Sequence, residues 1–172
     1  MAAELKIELK DQAILDKINK MSDKSRILKF FRVLAATIGF KEVIKHFREK
    51  RGPDGPWPER SPSTLKRYQE IHTGKRAPPP GTSKGMFSPG KPLLVLTGQL
   101  SRQFLPSNVE KSEANVTIFN PVEYSKMHDE GGDPTGARRA GFIPQRKFMW
   151  ISQNGMDLIA DGLSKKILSE EP

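Results

Sequence analysis

A chain of 172 residues with 35% hydrophobic content and a mean hydropathy of −0.57 has the size of one domain, long enough to bury a core and too apolar for wholesale disorder. It has no cysteine, which excludes disulfides and thiolate metal sites. It has no basic cluster leading into an apolar run at the N-terminus, and its longest apolar stretch, near Phe30 to Phe40, is interrupted by Arg32, so a soluble protein made in a cytoplasm, without membrane partners, is expected.

The net charge of +9 is uneven: residues 41–91 hold twelve basic and five acidic side chains, and residues 133–147 add four basic against one acidic. Such a stripe suits phosphates or an acidic protein surface, or it only keeps proline-rich loops solvated.

In chain order, Leu5, Ile7 and Leu9 alternate with charges, the pattern of a short strand. Ile14, Leu15, Ile18 and Met21 recur at helical spacing after a capping Asp11. A stronger helix is predicted from Ser22 or Asp23, with Ile27, Phe31, Leu34 and Ile38 on one face. The apolar face then shifts to Phe40, Val43, Ile44 and Phe47, and the shift falls at Gly39, which tolerates a bend or a break. Gly52-Pro53 ends the helix, because proline cannot continue its hydrogen-bond ladder.

Residues 52–92 contain nine of the 14 prolines and six of the 14 glycines. Only Pro62 to Tyr68 is expected to be ordered there, with Ser61 as N-cap and Pro62 at the first helical position. Leu93 to Phe104 then reads as a short amphipathic helix, and Val109–Glu113 with Asn115–Phe119 as a hairpin. A second Gly-rich loop is expected over 129–142 and a strand over 147–151. Ser152 or Asn154 opens a last helix with Met156, Ile159, Leu163 and Ile167 on one stripe. Two loops of this length, 71–92 and 129–142, are unusual in a compact domain unless they work or become ordered against a neighbour. They point to an assembly protein.

Chemical motifs are scarce. Gly85 to Lys91 nearly spells a phosphate-binding loop, but Pro92 stands where a magnesium-binding hydroxyl is required and no apolar strand precedes it. His128, Asp129 and Glu130 are adjacent, so their side chains diverge rather than converge on a metal or a proton. His46 and His72 lie in unrelated contexts. There is no Gly-x-Ser-x-Gly elbow to expose a nucleophilic serine.

Four blocks stand in a characteristic order. Pro53, Gly55 and Trp57 lie in Gly52-Pro-Asp-Gly-Pro-Trp57, and Thr97, Gly98 and Leu100 in Leu96-Thr-Gly-Gln-Leu100. Tyr124, His128 and Gly131 form the third, and Pro144, Arg146 and Phe148 lie in Ile143-Pro-Gln-Arg-Lys-Phe148. Over about residues 40–168 this order resembles the phage virion morphogenesis family, the tail-completion proteins of Mu-type tailed phages. The resemblance implies a structural protein of the virion neck, at the head-proximal end of the tail, forming a ring with a hexamer as first guess. Its partners would be copies of itself and other neck, tail-tube or connector proteins. Neither catalysis nor a cofactor is implied. Trp57 would mark the core rather than an interface, and Tyr124 with His128 would shape the fold. Arg146 would pair with a carboxylate inside the subunit or across an interface. Ser125 stands where the family pattern has Ala, and Lys147 where it has Pro.

The expected architecture is α+β over 1–172 as a single tail-completion-like domain. A small, mainly antiparallel sheet, built from the hairpin and the 147–151 strand, would pack against the long and C-terminal helices. The alternative function is a basic module contacting DNA non-specifically. Lys75, Arg76, Lys84, Lys91, Arg138 and Arg139 would be its contacts, although no recognition helix or aromatic-studded sheet motif is recognisable.

Overall fold

A computed structural model describes residues 2–88, 99–132 and 143–170. The fold is α+β. In it β1 (Ala3–Glu8), β5 (Asn115–Asn120) and β4 (Val109–Lys111) make an antiparallel sheet in the order β1-β5-β4. The register pairs Ala3 with Asn120 and Glu8 with Asn115 on one side of β5, and Val109 with Ile118 on the other. Alternation decides which face is covered: Ala3, Leu5 and Ile7 are buried while Glu4 and Lys6 are exposed, and Val116 and Ile118 point to the same core.

Two helices precede the long excursion. In α1 (Gln12–Lys20), the Asp11 side chain accepts the Ile14 amide, as an N-cap should. In α2 (Lys24–Glu49), Asp23 is the N-cap residue but makes no side-chain capping bond. The tolerance at Gly39 is not used for a break, because α2 runs without interruption from 24 to 49. Gly39 is buried against the sheet, and a Cβ there would lie 2.5 Å from Ile118 Cδ1 and 3.1 Å from Ile7 Cδ1. The glycine lets the helix approach β5 and β1 closely.

The helix ends in a left-handed residue, Lys50 (φ 53, ψ 44), ahead of the expected Gly52-Pro53 stop. A small hairpin follows, β2 (Arg51–Gly52) with β3 (Gly55–Pro56), turning on Pro53 and Asp54. It returns the chain so that the Trp57 amide donates to the Lys50 carbonyl at 2.7 Å. In α3 (Pro62–His72), Ser61 caps and Pro62 opens the helix, which extends to His72 and so takes the start of the expected 71–92 loop. Order beyond Tyr68 exceeds the expectation. Ile71 is fully buried, and residues 84–87 form a 3-10 turn whose buried Phe87 meets Tyr68 edge-on at 5.3 Å.

Of the predicted 93–104 helix only its end is described, as α4 (Gln99–Arg102). In α5 (Ser125–Glu130), Asp129 and Glu130 are helical, not part of a loop; residues 133–142 lie outside the described residues. In α6 (Gln153–Leu168), Ser152 caps the Gly155 amide. Its buried stripe is Ile159, Leu163 and Ile167, while Met156 is exposed.

The layering also differs from expectation. The third strand of the sheet is β1, and residues 147–151 are not a strand at all. Helix α2 packs on the sheet and α6 packs on α2. Close approach of the two helices is again made by glycine, since a Cβ at Gly162 would meet Leu34 Cδ2 at 2.7 Å.

Candidate functional site

Residues 143–152 cross the molecule as an irregular strap, half-buried with Arg146, Phe148 and Met149 buried, and most of the described resemblance blocks meet on it. A buried peptide must have its polar groups satisfied. In a strand the neighbouring backbone does this, but here side chains do most of it. The Trp57 indole Nε1 donates to the Lys147 carbonyl at 3.0 Å. One carboxylate oxygen of Asp129 accepts both the Phe148 amide (2.7 Å) and the Met149 amide (2.8 Å). His46 Nδ1 lies 3.0 Å from the Phe148 carbonyl, and a carbonyl only accepts, so this nitrogen carries the proton. Glu42 accepts the Ser152 amide at 3.1 Å. This is why an apolar run of strand length does not form a strand.

The strap holds the Trp57 block in return. Arg146 donates through Nε to the Pro58 carbonyl (3.0 Å) and through Nη2 to the Glu59 carbonyl (3.1 Å). The expected carboxylate partner is absent among the described residues: Arg146 bonds main-chain carbonyls. Its own amide donates to the His128 carbonyl at 2.8 Å, and Ile143 exchanges two backbone bonds with Gly132. Gly131 (φ +75) ends α5, where a Cβ would lie 2.8 Å from the Gln145 amide nitrogen. Both the positive φ and the close approach require glycine there.

Aromatic packing closes the node. Trp57 is buried and meets Phe47 edge-on at 5.6 Å, and Phe47 lies 5.0 Å from fully buried Phe148. Trp150 stacks on His46 with centroids 4.3 Å apart. Tyr124, more exposed, sets its ring edge-on to His128 at 5.8 Å. His128 Nδ1 and Trp150 Nε1 are buried with no hydrogen-bond partner among the described residues.

Burial sets the electrostatics. It pushes Asp129 above the usual carboxylate range, against the opposing pull of the Met149 and Phe148 amides. It pushes His46 and His128 down, His128 with help from the Arg146 charge. Burial alone would raise Glu42, but the hydroxyl and amide of Ser152, with Lys45 and His46 nearby, take it below the ordinary value. Arg146 is lowered by burial and by Arg60, yet a guanidinium stays charged at any physiological pH.

The remaining predicted positions are placed as follows. Leu100 is buried, and its carbonyl accepts from the Asn120 side chain at 2.8 Å. Pro53 and Gly55 shape the hairpin turn, and Pro144 is half-buried at the start of the strap. Lys75 is exposed, Arg76 pairs with Glu70 at 3.8 Å, and the Lys84 ammonium lies against Gly74. Thr97, Gly98, Lys91, Arg138 and Arg139 lie outside the described residues. Among the described residues no group of three His, Asp or Glu side chains is arranged to hold a metal ion, and no helix is long and apolar enough to cross a membrane.

Four residues of the node escaped the sequence reading. Glu42 and His46 lie one turn apart on the inner face of α2 among buried residues; a carboxylate and an imidazole on an apolar helical face were the available signal. Asp129 reads from sequence only as a candidate metal or proton ligand. Ser125 is buried, accepting the Ala3 amide at 2.9 Å and donating to the Asn120 carbonyl at 3.0 Å. It ties the first residue of β1 to the last of β5.

The chain is 30% identical over 81 residues to the "Putative capsid assembly protein G" of Escherichia phage Mu. That alignment covers 47% of this chain, and the chain spans about half (49%) of the length of that relative. No family model matches the chain, and no solved structure does. The similarity is thus to a phage assembly protein, at the level of morphogenesis and no finer.

Proposed function

We propose that this chain is a structural component of phage morphogenesis, acting at the head-proximal end of the tail as a ring-forming tail-completion or neck protein. The observation that carries the reading is the strap. The first, third and fourth resemblance blocks, far apart in sequence, interlock through Trp57, His128, Arg146 and Lys147. Residues serving this purpose are spent on architecture, and their chemistry suits holding a shape rather than turning over a substrate. The likeness to a phage assembly protein supports the same class of role.

In this reading the subunit works by complementarity. A fixed α+β body presents the 52–88 excursion and the segments around the strap to ring neighbours and to the components above and below. A sixfold ring matches the symmetry expected of a tail and is the first guess for the assembly, in the virion. The test is a phage lacking this gene. Its lysate should contain filled heads and separate tails that fail to join, or tails with an irregular head-proximal end, by electron microscopy. Joined, infectious particles would overturn the proposal.

The DNA-binding alternative has one observation in its favour: Lys66, Arg67 and Lys75 are exposed on or just after α3. Empty, unpackaged heads in the same lysate would favour it over joining.

A further inference from the structure

Helix α2 is apolar on two opposite faces, and only one of them is covered. The inner face, with Ile27, Phe31, Ala35 and Val43, is buried against the sheet and α6. On the outer face Val33 is 53% exposed and Ile44 is 47% exposed, with partly exposed Phe30 and Phe40 beside them. Val33, Thr37, Phe40 and Ile44 follow the spacing that keeps side chains in one line along a helix, with Phe40 also packed in part against the core. They make a stripe about 16 Å long at 1.5 Å per residue. Exposed apolar side chains that share one line of a helix mark a candidate contact surface more than scattered single exposure does.

The rim says what chemistry would cover it. By the same helical geometry, Lys29, Lys41 and Arg48 flank the stripe, all exposed and without an ion pair among the described residues. The acidic residues of α2, Glu42 and Glu49, lie on the far side of the helix, Glu42 turned into the core to cap Ser152. A second copy packed face to face would bring like charges together, whereas an acidic partner would be drawn in and held in register.

We propose that the outer face of α2 is a docking surface for an amphipathic helix of a different protein, with apolar anchors at helical spacing and acidic flanks. The mode is a helix laid along a helix, with anchors covering Val33 and Ile44 and carboxylates meeting Lys29, Lys41 and Arg48. This goes beyond a role in tail completion and does not depend on it.

The probe is a designed helical peptide with leucines along one face and glutamates along both flanks, titrated against the full chain. Its controls are a version with the glutamates replaced by lysine and a scrambled version of the same composition. The glutamate peptide is expected to bind at least about tenfold tighter than either control. Val33→Gln with Ile44→Gln should abolish this preference, and Lys29→Gln, Lys41→Gln and Arg48→Gln should remove its salt dependence. Both variant sets touch exposed side chains, so unchanged melting temperatures should certify the fold. No binding, or equal binding of the scrambled peptide, would overturn the proposal. A concentration-dependent dimer of the chain that Val33→Gln with Ile44→Gln dissolves would also overturn it, in favour of a second copy.

Discussion

Trp57 reaches ninety residues along the chain to donate its indole proton to the Lys147 carbonyl at 3.0 Å. Its ring and its nitrogen do separate jobs: the ring fills the core beside Phe47, and the nitrogen satisfies a strap carbonyl. Trp57→Ala should lower unfolding free energy by about 3–5 kcal/mol, the usual cost of emptying a buried aromatic site. Trp57→Phe keeps most of the packing and loses the hydrogen bond, so about 1–2 kcal/mol is expected. Urea unfolding of the isolated subunit separates the two. An unchanged midpoint in the Ala variant, with assembly lost, would move Trp57 to an interface.

Asp129 offers a sharper contrast, because both strap amides use the same oxygen. Asp129→Ala leaves two buried donors unpaired and should cost about 2–4 kcal/mol. Asp129→Asn retains an acceptor oxygen and should be clearly milder. The carboxyl is raised in the fold, so its stabilising contribution is full below the ordinary carboxylate value and is lost as pH rises through the folded pKa. The advantage of the native chain over the Asn variant should therefore shrink from strongly acidic to neutral pH. A constant difference across that range would contradict the assignment.

His46 and His128 titrate in the opposite sense. Both are depressed below their ordinary value of 6.5 by burial, so their contribution is present above that value and lost as pH falls through the folded pKa. Glu42, also depressed, adds a loss at lower pH still. The urea midpoint should decline as pH drops from 7.5 toward 5, and His46→Gln should flatten that decline. An identical slope in the variant would remove His46 from the explanation.

At Gly39 two effects compete. Replacing a mid-helix glycine by alanine gains about 1 kcal/mol from propensity alone. Here the new methyl would lie 2.5 Å from Ile118 and 3.1 Å from Ile7, and overpacking of this kind costs about 1–3 kcal/mol. Gly39→Ala should be net destabilising, and Ile118→Val in the same chain should restore part of the loss. Stabilisation by the single change would show that the helix does not press on the sheet.

Ser125→Ala would leave the buried Ala3 amide without its acceptor. A loss of about 1–3 kcal/mol is expected, read most directly as faster hydrogen exchange along β1. Unchanged protection there would show that the hydroxyl adds nothing.

What could be seen in the sequence was periodic or capped. Asp11, Ser61 and Ser152 announced three helix starts, and alternation announced β1, β4 and β5. What could not be seen was satisfaction at a distance. Lys147 to Ile151 has the composition of a strand, but the groups that hold it come from Glu42, His46, Trp57 and Asp129, and no local pattern reports those partners. The role of Gly39 is hidden for the same reason: its neighbour in space is Ile118, not the next turn of its own helix. In the site, Trp57 and Arg146 stood out because their blocks are distinctive. Asp129 and Glu42 look like ordinary surface acids until their partners are placed.

The pairing of Ala3 with Asn120 also has a consequence in time. Strand β1 precedes β5, its strand partner among the described residues, by more than a hundred residues, and the strap that locks α2 follows later still. At a synthesis rate of about 5–20 residues per second, β1 waits roughly 6–24 s for its neighbour to exist. Contacts this far apart in sequence also slow refolding of the finished chain. Until residue 120 is made, the nascent polypeptide carries β1 without β5, and α2 waits longer still for α6. That interval, rather than the finished fold, is when it most needs protection from aggregation.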